Sequence, residues 1–311
     1  MIPLVTSFSP QEESQWLQQL TKQIPNQVFK PLAELSDLQR QECELAIVAN
    51  PDPQALASLP NLVWVQSLWA GVEGMVNQLP DAKFKIVRLI DPHLAETMSE
   101  AVLAWTLYLH RDMPHYARQQ THAQWQQRPM VRAKDRRVGI LGLGELGNAS
   151  AQRLAANGFQ VFGWSRSEKQ LAGVTCFHGR DGLTQLLSQA DILVCLLPLT
   201  SATLGLLNDD TLSYLPPDAA LINFSRGAII DDIALQKKLQ QGEIRHAVLD
   251  VFQQEPLPTD NAYWRMKNVT VLPHISAPTH IESACDVVAK NIRLYQATTK
   301  IPAAVDVGRG Y

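Results

Sequence analysis

The sequence predicts an α/β protein built from two doubly wound parallel sheets, and three observations carry that prediction. From Leu4 to Leu89 short apolar runs alternate with amphipathic helical stretches, the pattern of strands buried between helices. The same alternation restarts at Arg137 and continues to Leu272. The length of 311 residues suits two domains at about 150 residues each.

Each element has its own justification. Leu4-Val5 opens as a strand. Ser9-Pro10-Gln11-Glu12 then reads as a helix start, with Ser9 as N-cap, Pro10 in the first turn and Glu12 three residues on. Trp16, Leu17, Leu20 and Ile24 follow at helical spacing. Leu45 to Ala49, Leu62 to Gln66 and Lys85 to Leu89 read as strands. From Glu96 to Met113 the pattern is a long helix, apolar on most sides through Ala101, Val102, Leu103, Trp105, Leu107 and Leu109. Such a helix needs a partner surface, at a domain junction or in a dimer. Residues 118–128, rich in Gln, read as an irregular connection.

In the second series Val138 to Leu141 is a strand of the buried parallel type. A helix runs to Asn157, where Gly158 is a stop signal. Gln160 to Trp164, Asp191 to Leu197, Ala220 to Phe224, Ala247 to Asp250 and Val269 to Leu272 are the further strands, and Ile281 to Ala297 is a final helix.

Composition narrows the function classes. Apolar residues make up 46% and charged residues 18%, as in a globular enzyme. The 27 Lys and Arg against 30 Asp and Glu give a net charge of −3. That balance disfavours electrostatic attachment to nucleic acid or an anionic membrane. The densest basic run, Arg132, Lys134, Arg136 and Arg137, reads as a solvated lead into a strand. Cys43, Cys176, Cys195 and Cys285 form no C-x-x-C pair, and His110, His115 and His122 lack ligand spacing, so no metal is expected. No basic leader precedes Lys22 and no uncharged stretch suits a membrane span. A reduced cytoplasm is the expected setting.

Gly142-Leu143-Gly144-Glu145-Leu146-Gly147 is a G-x-G-x-x-G run between a strand and a helix. This context is what a dinucleotide-binding turn requires, with the diphosphate at the helix start. The next strand ends in Trp164-Ser165-Arg166-Ser167, with no acid until Glu168. A carboxylate there would repel a 2′-phosphate, whereas hydroxyls and a guanidinium can bind one. NADP(H) is therefore the expected cofactor, with NAD(H) as the second choice.

Three polar residues each follow an apolar run: Arg226 after Leu221 to Phe224, Glu255 after Leu249 to Phe252, and His274 after Val271 to Pro273. Carboxyl ends of strands line the crevice of an open parallel sheet. An Arg can clamp a carboxylate and a protonated His can donate to a carbonyl oxygen. A neighbouring Glu favours the imidazolium and orients the ring.

These segments, with Leu196-Leu197-Pro198-Leu199-Thr200, Asn223-Phe224-Ser225-Arg226-Gly227 and Glu255-Pro256-Leu257-Pro258, resemble the D-2-hydroxyacid dehydrogenase family over nearly the whole chain. The Trp164-Ser165-Arg166 corner and the Arg309-Gly310-Tyr311 ending resemble its bacterial reductases of small 2-keto acids. The resemblance implies that Arg226, Glu255 and His274 are catalytic. It implies that Pro198, Thr203, Ser225 and Asp250 join the glycine turn around the cofactor, Asp250 at the nicotinamide carboxamide. It places the substrate at Trp69, Ala70, Gly71 and Val72, together with Arg226.

The implied fold is a discontinuous flavodoxin-like substrate domain, 1–97 plus 280–311, enclosing a Rossmann domain, 98–279, in a homodimer. The implied reaction is NADPH-dependent reduction of glyoxylate to glycolate and of hydroxypyruvate to D-glycerate. Two other readings stand beside it: reduction of a bulkier keto acid such as phenylpyruvate, and a non-catalytic nucleotide-sensing protein.

Overall fold

The computed structural model describes residues 1–306 and 308; the Arg309-Gly310-Tyr311 ending lies outside them. The chain forms two compact units, one of Met1–His93 with Thr279 onward and one of Leu94–Pro278.

In the first unit β1 (Ile2–Thr6), β2 (Phe29–Pro31), β3 (Leu45–Ala49), β4 (Trp64–Ser67) and β5 (Lys85–Val87) form one parallel sheet. Its order is β2-β1-β3-β4-β5, so the winding reverses beside β1. Helix Pro10–Gln23 begins with the expected capping box: the Glu12 amide donates to Ser9 Oγ, and the Ser9 amide to the Glu12 carboxylate at 3.0 Å. Its Trp16 and Leu20 enter a core with Leu4, Ile47 and Trp64. Helix Ile281–Thr298 buries Ala284, Cys285, Val288, Ala289 and Ile292 in that same core.

In the second unit β6 (Arg137–Leu141), β7 (Gln160–Ser165), β8 (Val174–His178), β9 (Ile192–Cys195), β10 (Ala219–Asn223), β11 (Ile244–Leu249) and β12 (Val269–Val271) form a seven-stranded parallel sheet. The order is β12-β11-β10-β9-β6-β7-β8. Every residue of β9 and β10 is buried, and burying one Leu, Ile or Val stabilises by roughly 1.5–3 kcal/mol. Arg137 enters β6 against Asp191, with Nη2–Oδ1 at 2.6 Å and its own amide on Oδ2 at 2.8 Å.

The long helix spans Pro92–His110, starting and ending earlier than the apolar pattern suggests. Its Met98, Val102 and Leu109 share a core with Val138, Ile140, Leu154 and Ile192. That side of the helix packs within its own unit, while Leu107 stays 39% exposed. The irregular connection expected over 118–128 begins later, because Met113–Thr121 is helical. Pro114 supplies the first-turn φ and Gln119 is buried despite its polarity. Two strands, β2 and β8, were not expected at all. No helix of the described residues is long and apolar enough to cross a membrane.

Candidate active site

The carboxyl ends of β6, β7, β9, β10, β11 and β12 carry every polar residue singled out in the second half of the sequence. The glycine turn follows β6. The Gly142 amide donates to the Trp164 carbonyl at the end of β7 (2.9 Å). A Cβ on Gly147 would collide with the Gly142 carbonyl oxygen, so only glycine lets the helix start this close to the strand. Above Gly144 a Cβ would meet nothing within 4 Å. Helix Glu145–Ala156 starts there without a side-chain cap. Open space over uncapped amides, including those of Glu145 and Leu146, fits a diphosphate.

At the end of β7 the three expected residues divide. Ser165 is buried and its Oγ donates to the Ser167 carbonyl at 2.7 Å. Its proton is therefore committed to shaping the turn. Arg166 and Ser167 are exposed. Lys169, which sequence reasoning missed, is also exposed, and its Nζ donates to the Leu143 carbonyl of the glycine turn at 2.6 Å. The signal was there: a second cation three positions after Arg166.

Beyond β9, Thr203 Oγ1 donates to the Pro198 carbonyl at 2.6 Å and accepts from the Thr200 amide at 2.8 Å. Beyond β10, Ser225 is buried, and its amide and hydroxyl both donate to Asn223 Oδ1. Pro198, Thr203 and Ser225 thus hold loop shape through contacts within the chain. Arg226 follows, with Nη1 on the Ser225 carbonyl at 2.7 Å. A Cβ on Gly227 would strike the backbone of Phe252 and Gln253. That close approach sets the Arg226 loop beside the loop bearing Glu255.

Glu255 and His274 form the pair expected from sequence. Glu255 Oε1 accepts from the Phe252 amide and Oε2 meets His274 Nδ1, each at 2.8 Å. Both side chains remain open to solvent. His274 lies at φ +56°, a left-handed conformation uncommon outside glycine. Asp250, 2% exposed, accounts for it. Its Oδ1 accepts from the Ile275 amide at 2.7 Å and its Oδ2 from the Ser276 amide at 2.9 Å. The carboxylate expected at the nicotinamide therefore also seats the loop that carries His274.

In the first unit, Trp69 packs edge-on against Phe8 (5.9 Å) and Trp16 (6.3 Å). Its amide donates to Ser67 Oγ at 3.0 Å and its carbonyl accepts from the Leu89 amide at 2.9 Å. Ala70 and Gly71 are partly exposed and Val72 is buried, leading into helix Glu73–Gln78. Among the described residues no group of three or more His, Cys, Asp or Glu is placed to hold a metal ion.

A doubly wound sheet with a glycine turn and an Arg, Glu and His at its carboxyl edge defines a nucleotide-dependent oxidoreductase. The profile of the D-isomer specific 2-hydroxyacid dehydrogenase, NAD binding domain, matches residues 103–276. The glyoxylate/hydroxypyruvate reductase A of Yersinia enterocolitica is 37% identical over 310 residues, 96% of this chain and 97% of that protein. That of Serratia proteamaculans is 36% identical, covering 96% of each.

A D-isomer specific 2-hydroxyacid dehydrogenase from Xanthobacter autotrophicus Py2, solved with NADPH and MES, superposes with TM-score 0.93 at 36% identity. It covers 100% of this chain and 99% of its own. The NADPH-dependent glyoxylate/hydroxypyruvate reductase of Sinorhizobium meliloti, solved with NADP and sulfate, gives 0.90 at 30% identity, with coverage of 100% and 99%. The chain belongs to the D-isomer specific 2-hydroxyacid dehydrogenase family and is an enzyme of it.

Proposed function

We propose that the enzyme uses NADPH to reduce small 2-keto acids, glyoxylate to glycolate and hydroxypyruvate to D-glycerate. The observation that carries this reading is the Glu255–His274 pair at 2.8 Å, in the unit whose neighbouring loop holds Arg226. The names of the Yersinia and Sinorhizobium relatives support the substrates.

When bound, the reduced nicotinamide supplies a hydride. His274 Nε2 donates a proton to the keto oxygen, and the product is the hydroxy acid. Glu255 keeps the ring oriented through its contact with Nδ1. Arg226 clamps the substrate carboxylate through two parallel hydrogen bonds. The amides of Ala70, Gly71 and Val72 are further carboxylate ligands, and Trp69 limits the size of the substrate. Residues 1–97 plus 280–311 take the substrate role and 98–279 the nucleotide role.

Arg166, Ser167 and Lys169 supply the donors for the 2′-phosphate, and Ser165 holds their turn. NAD(H) is the second cofactor. The enzyme acts as a cytoplasmic homodimer without nucleic-acid or membrane partners. Trp125, 98% exposed, and Met130, 76% exposed, are two large apolar side chains that a second copy would cover.

Initial rates across a substrate and cofactor panel test the reading. Glyoxylate or hydroxypyruvate should exceed phenylpyruvate in kcat/KM with NADPH, and NADPH should outperform NADH. Arg166→Ala should cut the NADPH preference roughly 10- to 100-fold, the worth of one hydrogen-bonded charge. A preference for phenylpyruvate, or absence of turnover, would refute the assignment.

A further inference from the structure

The second unit carries a basic cavity far along the chain fold from the nucleotide turn. It lies beside the first residues of β11 and β12, at the opposite ends of those strands from Asp250 and His274. Its volume is about 380 Å³, in the range of small-molecule sites. Arg118, His122, His246 and Lys267 line it together with apolar surface from Tyr108 and Val269, and no Asp or Glu does so among the described residues. The acid nearest in sequence to the helix bearing Arg118, Asp112, is already paired with Arg245 and Arg128.

Two polar atoms of this wall are buried and without hydrogen-bond partners: Arg118 Nη1 and His246 Nδ1. The His246 side chain is fixed on its other edge, where Nε2 meets Thr270 Oγ1 at 2.9 Å. If the Thr270 hydroxyl donates, Nε2 accepts and Nδ1 carries the ring proton. His246 is 4% exposed and lines the cavity, and no group of the chain meets that nitrogen. Burial without a partner is unfavourable for each polar group, and a ligand that supplies acceptors relieves it.

We propose that this cavity binds a small organic oxyanion, a phosphate or carboxylate group on a short carbon skeleton. Arg118 Nη1 and His246 Nδ1 donate to the anionic group. Lys267 at the exposed rim adds charge, and Tyr108 and Val269 cover the skeleton. The site shares no residue with the nucleotide turn or with Arg226, Glu255 and His274.

The test uses the full-length protein saturated with NADP+, which occupies the cofactor's own phosphate subsite. Glycerol 3-phosphate, citrate and inorganic phosphate are titrated by calorimetry while the His246 ring signal is followed by NMR. One organic anion should bind saturably, more tightly than inorganic phosphate, and move the His246 signal. Which of the two binds identifies phosphate or carboxylate as the recognised group. Arg118→Gln with Lys267→Gln should weaken binding roughly ten-fold or more and leave keto-acid reduction intact. Should the double variant fold poorly, Lys267→Gln alone, at an exposed position, gives the same direction. No saturable binding, equal affinity in the variants, or an unmoved His246 signal would each overturn the site.

Discussion

His274 shows how one residue is placed by others that do no chemistry. A left-handed φ of +56° costs of order 1 kcal/mol or more for a non-glycine residue. The two amide bonds to Asp250 at 2.7 and 2.9 Å hold the backbone there. Asn at 250 has one acceptor and would set an NH2 against an amide N–H. Asp250→Asn should therefore lower kcat about ten-fold or more, by the 1.5–3 kcal/mol that a charged hydrogen bond contributes. Steady-state kinetics check it, and a kcat equal to wild type would remove Asp250 from the positioning role.

Glu255 acts on the ring itself. Its carboxylate at 2.8 Å from Nδ1 holds the ring by that edge, which leaves Nε2 as the nitrogen that donates. Glu255→Ala should therefore lower kcat about ten-fold or more, by the 1.5–3 kcal/mol that a charged hydrogen bond contributes. A kcat equal to wild type would rule out the coupling. The Glu255–His274 pair was legible in the sequence, because each residue lies shortly beyond an apolar run. The positive φ and the amide clamp were not, since nothing in Pro273-His274-Ile275-Ser276 specifies which carboxylate will face its amides.

At the level of elements, the central strands and two of the four edge strands, β5 and β12, were readable, and the edges β2 and β8 were not. β3 and β10 are buried at every residue, so their sequences are continuous apolar runs. β2 and β8 each pair with a single neighbour. Phe29-Lys30-Pro31 is three residues long and ends in a proline, a poor strand former, and β8 is partly exposed along its length. Neither needs the apolar signal that identifies a core strand. Helix Met113–Thr121 was hidden for a related reason: its buried positions are Pro114 and Gln119, which no hydrophobic period marks.

β11 also holds a pH-sensitive group. Burial, with Arg118 and Arg245 adding repulsion, pushes the His246 imidazole down to about 4 from the usual 6.5. An unfolded chain then binds a proton between these values that the folded chain refuses. The contribution is full above pH 6.5 and is lost as pH falls toward 4, up to roughly 3 kcal/mol at 1.36 kcal/mol per unit. Anion-free protein should show stability falling over that window in urea melts, and His246→Asn should flatten the fall. A parallel slope in the variant would place the effect elsewhere.

For the whole molecule, the consequence of two units is that a ligand need not stabilise both alike. Each unit has its own sheet and its own buried clusters: Leu4, Ile47 and Trp64 in one, Ile140, Ile192 and Ile222 in the other. The proposed nucleotide residues, from Gly142 to Asp250, all belong to Leu94–Pro278. A ligand that binds only the folded form at 100 times its Kd stabilises what it binds by about 2.7 kcal/mol. Saturating NADPH should therefore slow amide exchange in β6, β9 and β10 by up to about 100-fold, where exchange proceeds by opening of that unit. Strands β1, β3 and β4 of the first unit should change far less. Exchange measured by mass spectrometry with and without NADPH decides the matter. Equal slowing in both sheets would mean that the two units unfold as one cooperative body, and unfolding could then be treated as two-state for the whole chain.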